Sequence, residues 1–286
     1  MRRSIVSMGW LVITVSGCAA MGPGPGAGPD SEAWELRREL SREARQATEA
    51  RDFPRALDLL AELAETDTRS ADAPARMGRI YAELGQLDEA SEAFQRALDR
   101  DVDDIDSLIG LGRVKLARGK TTEAIARFDE AIEIDPGQAT AHIGRGQALE
   151  SLGRTDEALA AYFRALRHEP DAAPALSRVA SIQLDRNQPE SALARLDHLV
   201  ELSFEDPETR IQRGRARLAL GLTDEAIADL RFASEHLPDR ADVAYLLTLA
   251  FEQADKTKDA RTAADRALEL DPNSVLVREL AERLHR

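Results

Sequence analysis

The 286-residue chain holds one cysteine, Cys18, so it forms no internal disulfide and that thiol is free, intermolecular or modified. Aromatic residues make up only 4% of it, and Trp10 and Trp34 are its only tryptophans, which leaves little surface for stacking on sugars. Positive charge is in deficit. The 38 Lys and Arg face 52 Asp and Glu, a formal net charge of −14, and this disfavours nucleic acid and anionic headgroups as partners. No apolar run reaches the roughly 20 residues of a membrane-spanning helix. The five histidines, His142, His168, His198, His236 and His285, show no metal-ligand spacing and have no cysteine partners. No Gly-x-Ser-x-Gly elbow or Cys/His nucleophile arrangement occurs, and in so acidic a chain neighbouring carboxylates carry no signal. The expectation is therefore a chain without catalytic residues, metal or cofactor, and not an enzyme.

What is present begins at the amino terminus. Arg2 and Arg3 precede an apolar run from Ile5 to Val15, the layout of a secretory signal peptide, too short to stay as a membrane span. At the end of that run Val15-Ser16-Gly17-Cys18 resembles the lipobox of bacterial lipoproteins. The resemblance implies cleavage after residue 17, lipid on the Cys18 sulfur and, with Ala19 rather than Asp next, passage to the outer membrane facing the periplasm. Two or more acyl chains anchor stably where one binds only marginally. The alternative is a plain secretory signal and a soluble secreted or periplasmic product. Residues 18–30 carry Gly22, Pro23, Gly24, Pro25, Gly26, Gly28 and Pro29 and are expected to be a flexible linker, about 40 Å long at ~3.3 Å per residue when extended.

From Ser31 onward no strand-like alternation appears, and the Ala, Leu, Glu and Arg content favours helices. A repeat dominates. Ala56, Ala90, Ala124, Ala158, Ala192, Ala226 and Ala260 recur every 34 residues without insertion. Twelve residues before each stands a small residue, Gly78, Gly112, Gly146 and Gly214 among them. Four residues after it stand Leu60, Phe94, Phe128, Tyr162, Leu196, Leu230 and Ala264. Five residues before it come turn formers, Gly85, Gly119, Gly153, Asn187, Gly221 and Asp255, and Pro136, Pro170, Pro238 and Pro272 close four units. Gly, Asn and Asp tolerate the left-handed conformation that ends a helix, so each unit reads as helix, tight turn, helix. Thr121, Thr155, Thr223 and Thr257 follow the turn and are expected to cap the second helix.

This 34-residue pattern of Gly, Tyr, Ala, Phe, Ala and Pro, best matched by Gly78, Tyr81, Ala90, Phe94 and Ala97 and by Gly112, Ala124, Phe128, Ala131 and Pro136, resembles the tetratricopeptide repeat. The resemblance implies an all-α, right-handed superhelical solenoid. Its seven units are 37–70, 71–104, 105–138, 139–172, 173–206, 207–240 and 241–274, followed by a capping helix at 275–286. The "ARGKTTEA" stretch at 117–124 is not a phosphate loop, since Val114 stands where the first Gly belongs and no strand precedes it.

In the resembled family the first helices line a concave binding face, and residues eleven and fifteen before each repeat alanine point there. The expected partner-binding groove is Arg79, Ile109, Arg113, Leu116, Ile143, Gln147, Ile211, Arg215, Leu218 and Tyr245. An apolar strip edged by arginines suits a peptide or helix that carries apolar side chains and carboxylates. The expected role is a membrane-tethered scaffold for a protein or peptide partner in envelope assembly, such as pilus, secretion or cell-wall machinery. The alternative is a regulatory subunit or glycan-binding module of a peptidoglycan enzyme.

Overall fold

The computed structural model describes residues 29–202 and 206–285, and Cys18 with the leader lies outside them. Among the described residues there are fifteen helices and no strand. The first helices of successive units are α1 (Pro29–Glu49), α3 (Asp72–Glu83), α5 (Ile105–Ala117), α7 (Ala139–Ser151), α9 (Ala173–Asp185), α11 (Pro207–Ala219) and α13 (Ala241–Gln253). The second helices are α2 (Phe53–Thr66), α4 (Leu87–Arg100), α6 (Thr121–Ile134), α8 (Thr155–His168), α10 (Pro189–Leu202), α12 (Thr223–His236) and α14 (Thr257–Leu270), and α15 (Val275–His285) ends the chain. They fall into two compact units, one up to Thr68 and one from Arg69 onward. In the first unit α1 packs on α2, and Leu40, Ala44, Ala47, Ala56, Leu60 and Leu63 are buried. Helix α1 begins at Pro29, so the last two residues assigned to the linker are helical.

The turn inside each repeat is a Schellman motif. In the third repeat Gly119 N–H donates to Leu116 O at 2.9 Å and Lys120 N–H to Lys115 O at 2.9 Å, the pair of bonds that satisfies carbonyls left open at a helix end. Gly119 has φ +73°, and the same left-handed value recurs at Gly85, Gly153 and Gly221, at Asn187 and Asp255, and at Arg51 of the first repeat. The threonines do not cap. Each opens its helix as the first helical residue, and Lys120, Arg154, Leu222 and Lys256 occupy the capping position without a side-chain capping bond. Side-chain caps occur elsewhere: Asp104 accepts from Ser107 N–H at 3.0 Å and Asp206 from Thr209 N–H at 3.0 Å.

Packing between helices is set by rings seated on glycines. A Cβ added at Gly78 would lie 2.7 Å from Phe94, and one added at Gly110, in the next first helix, 2.4 Å from the same ring. Phe128 is held in the same way between Gly112 and Gly144. Both rings are fully buried, and the missing methyl groups let two successive first helices close on one second helix.

Helix α11 adds a buried ionic cluster. Asp229 of α12, wholly buried, accepts from Arg210 Nη1 at 2.9 Å, Arg213 Nε at 2.8 Å and Nη2 at 2.6 Å, and Arg217 Nη1 at 2.6 Å. Arg213 also donates to Asp197 of α10 at 3.0 Å. Burial works against the Arg213 charge, but the two carboxylates outweigh it and hold its pKa above the ordinary value.

Two substitutions separate ring packing from turn conformation. Gly112→Ala forces Phe128 to move and is expected to cost about 1–3 kcal/mol by overpacking. Gly119→Ala meets no neighbouring atom and costs about 1–2 kcal/mol through its left-handed φ alone. In urea denaturation, adding Phe128→Leu recovers part of the first loss and none of the second.

Candidate functional site

Within the unit from Arg69 onward, first helices touch one another directly: α3 with α5, α5 with α7, α9 with α11 and α11 with α13. Second helices make no comparable packing with each other among the described residues. Helices that meet while their partners stay apart lie on the inner side of a curved stack, so the first helices form its concave face.

The structure divides the expected groove residues into two groups. Arg79, Arg113, Gln147 and Arg215 are exposed. Ile109, Ile143 and Ile211 are buried at 5%, 8% and 4% exposure and belong to three separate core clusters. The apolar strip is thereby narrowed, because the isoleucines are buried in the helix cores and do not line an open surface. Leu116, Leu218 and Tyr245 are partly buried against those cores and show only an edge. The face is a row of polar and cationic side chains with short apolar margins.

Its arginines are loosely held. Arg79 approaches Asp106 and Arg215 approaches Asp185, each at 3.6 Å between side chains that are about half exposed or more. Pairs of this kind contribute little to stability, so both guanidinium groups are available to a competing carboxylate. Several second helices are acidic by contrast: α6 carries Glu123, Asp129, Glu130 and Glu133 against Arg127 alone, and α12 carries Asp224, Glu225, Asp229 and Glu235 against Arg231, while α8 and α14 balance their charges.

Between α7 and α9, which are bridged by Arg178 and Glu150, lies a cleft of about 460 Å³ lined by Gln147, Glu150, Ser151 and Arg178. Three columns of the repeat change together there. Tyr162 replaces the Phe of the second and third repeats, Arg178 replaces the Gly that seats the ring in the next first helix, and Glu150 replaces the Leu found at Leu116, Leu184 and Leu218. The Tyr162 hydroxyl donates to Glu150, and Arg178 forks onto the same carboxylate, Nε at 2.9 Å and Nη2 at 2.5 Å. Burial, and then Glu150, push the Tyr162 phenol well above its ordinary range, while the Glu150 carboxylate raises Arg178. A ring–glycine–leucine joint has become a hydrogen-bonded polar one. Of these four lining residues only Gln147 was expected from sequence; the joint departure from three columns is the signal that marks the others.

No group of three or more His, Cys, Asp or Glu residues able to hold a metal occurs among the described residues. No described helix is long and apolar enough to cross a membrane.

Tetratricopeptide repeat family models match residues 109–177 and 211–275, and 47–110 and 151–218. Together they run from residue 47 to residue 275, and the chain belongs to the tetratricopeptide repeat family, with its all-α superhelical fold. No curated protein matches it in sequence. Among solved structures it is similar to YrrB, a tetratricopeptide repeat protein with an unusual peptide-binding site, at 26% identity and a TM-score of 0.61 over 68% of this chain and 100% of that one. It also resembles PilF of Pseudomonas aeruginosa, at 17% identity and TM-score 0.67 over 74% of this chain and 97% of that one. PilW, a widely conserved type IV pilus biogenesis factor, aligns at 20% identity and TM-score 0.64 over 74% and 98%. None of these matches indicates a catalytic family, and proteins of this family are protein-interaction scaffolds.

The polar joint is testable as a pair. Glu150→Leu restores the side chain of the sister repeats but strands Arg178, and Arg178→Ala strands Glu150. A double-mutant cycle in urea is expected to give a coupling of about 1 kcal/mol, with the double variant more stable than the sum of the single losses predicts.

Proposed function

We propose that the chain is a non-enzymatic adaptor, tethered to a membrane through lipid on Cys18, whose first-helix face holds an extended or helical segment of a protein partner during envelope assembly. The carrying observation is the row of exposed arginines on the first-helix face. Arg79, Arg113 and Arg215 stand exposed on an otherwise acidic chain, and the Gln147–Arg178 cleft lies between them in repeat order. Such a face suits a segment with carboxylates flanking polar side chains, because opposite charge selects the partner and sets its register. The peptide-binding site of YrrB and the pilus role of PilW support an adaptor reading and an envelope setting. Arg79, Ile109, Arg113, Leu116, Ile143, Gln147, Ile211, Arg215, Leu218 and Tyr245 remain the proposed groove, with the three isoleucines shaping it from beneath.

Arg79→Glu combined with Arg113→Glu is expected to reduce capture of the envelope partner by about tenfold or more at low salt, with the helical circular dichroism signal unchanged. If pull-downs from envelope extracts recover every partner as before, the groove is not the binding face. Tethering is tested separately. The wild-type chain is expected to sediment with membranes and carry lipid at its amino terminus, and Cys18→Ser to be soluble and unmodified.

A further inference from the structure

One buried group has no part in the groove. His142 sits on the inward side of α7 with 3% of its surface exposed, in a column that sister repeats fill with Leu40, Pro74, Leu108, Leu176 and Ala244, all buried, and with the half-buried Arg210. Its Nε2 lies 3.0 Å from the carbonyl of Pro136 in the α6–α7 loop, so Nε2–H is the donor and Nδ1 carries the lone pair. That Nδ1 is buried with no hydrogen-bond partner. The ring stacks on His168 of α8, with centroids 6.2 Å apart and planes 2° from parallel.

Three cationic or protonatable groups surround it. Arg164 and His168 face it from α8 and Arg145 from α7 itself. The nearby carboxylates are already engaged: Asp129 of α6 accepts from Arg145 at 2.6 Å, and Asp135 of the loop accepts from Gly137 N–H at 2.8 Å. A second proton on the ring would place a buried N–H without an acceptor beside three cationic or protonatable groups, a configuration the closed fold disfavours strongly.

We propose that His142 is an acid-sensitive latch: protonation ejects its ring, releases the Pro136 carbonyl and opens the start of the fourth repeat. Burial first, then Arg164, His168 and Arg145, lower its pKa from the ordinary value against the opposing pull of Pro136. The sign follows. The closed form binds fewer protons than the open one, so its stability is complete above the ordinary imidazole pKa of about 6.5 and is lost as pH falls below it. Each repeat contacts only its neighbours, so opening in the fourth separates the first helices on either side of it. Resting on the groove reading, a further consequence is that acid dismantles the cleft, since α7 carries His142 inward and Gln147, Glu150 and Ser151 on the cleft side.

The test needs no partner, so it succeeds or fails independently of the groove. Amide hydrogen exchange of the full chain is compared at about pH 7.5 and about pH 5 and corrected for intrinsic exchange chemistry. Residues 136–149 of the wild type are expected to open roughly tenfold more often at the lower pH, while α3 and α13 change little. His142→Leu, which installs the residue of three sister repeats, is expected to abolish the difference. A wild type without local acid opening, or a His142→Leu chain that keeps it, overturns the latch. Imidazole NMR of the wild type gives a second reading that does not depend on the variant folding: a His142 resonance that titrates at the ordinary pH inside an intact fold also overturns it.

Discussion

The second and third repeats depend on one contact, an aromatic ring closed between two glycines of successive first helices. Phe94 between Gly78 and Gly110, and Phe128 between Gly112 and Gly144, bring helix backbones so near that a single methyl group would intrude on the ring. The same contact fixes which helices meet. Within the unit from Arg69 onward, each such ring draws two first helices together while the second helices stay apart, and that unit curves toward the side where its exposed arginines stand. Packing inside the repeat therefore decides which surface is concave, and so which residues a partner can reach.

Where that contact is altered, the surface alters with it. The joint of the fourth and fifth repeats exchanges phenylalanine, glycine and leucine for Tyr162, Arg178 and Glu150, and a polar cleft lies beside the Arg178–Glu150 bridge between α7 and α9. A buried phenol and a partly buried carboxylate there satisfy each other and orient a guanidinium, which a leucine could not do. The sixth repeat makes a different exchange, with three arginines gathered on the buried Asp229. Buried ion clusters are weak sources of stability but strict about geometry. Both exchanges fix the spacing of first helices within the groove, on either side of α9.

Much of this was legible in the sequence because a repeat displays each position several times. The alanine column, the glycine twelve residues before it and the ring four residues after it mark the core, and the turn formers fall on the left-handed positions. Arg51 shows how column logic outranks residue preference: it adopts φ 58° in the glycine position because the turn geometry demands it. The misreadings share a cause. Thr121 and its counterparts look like caps by composition, but the Schellman turn spends its extra residue before them and leaves them inside the helix. Ile109, Ile143 and Ile211 lie on the face that points inward along one helix, yet a neighbouring first helix covers that face, a tertiary effect that one helix's periodicity does not contain. Asp229 was hidden for the opposite reason, since a lone acid in a second helix reads as a solvated charge until three arginines from α11 are seen to converge on it.

The distribution of polar joints bears on how such an array works. In a linear stack each junction is stabilised only by its neighbours, so a weak junction remains local instead of being averaged over the whole chain. Apolar ring joints dominate the second and third repeats, whereas His142, the Tyr162–Glu150–Arg178 joint and the Asp229 cluster follow one another from the fourth repeat to the sixth. Hydrogen bonds and charges are directional and sensitive to protons and salt in a way that a phenylalanine on a glycine is not. In the groove proposed above, Arg79 and Arg113 stand on the apolar-jointed repeats, and Gln147 and Arg215 stand on the polar-jointed ones.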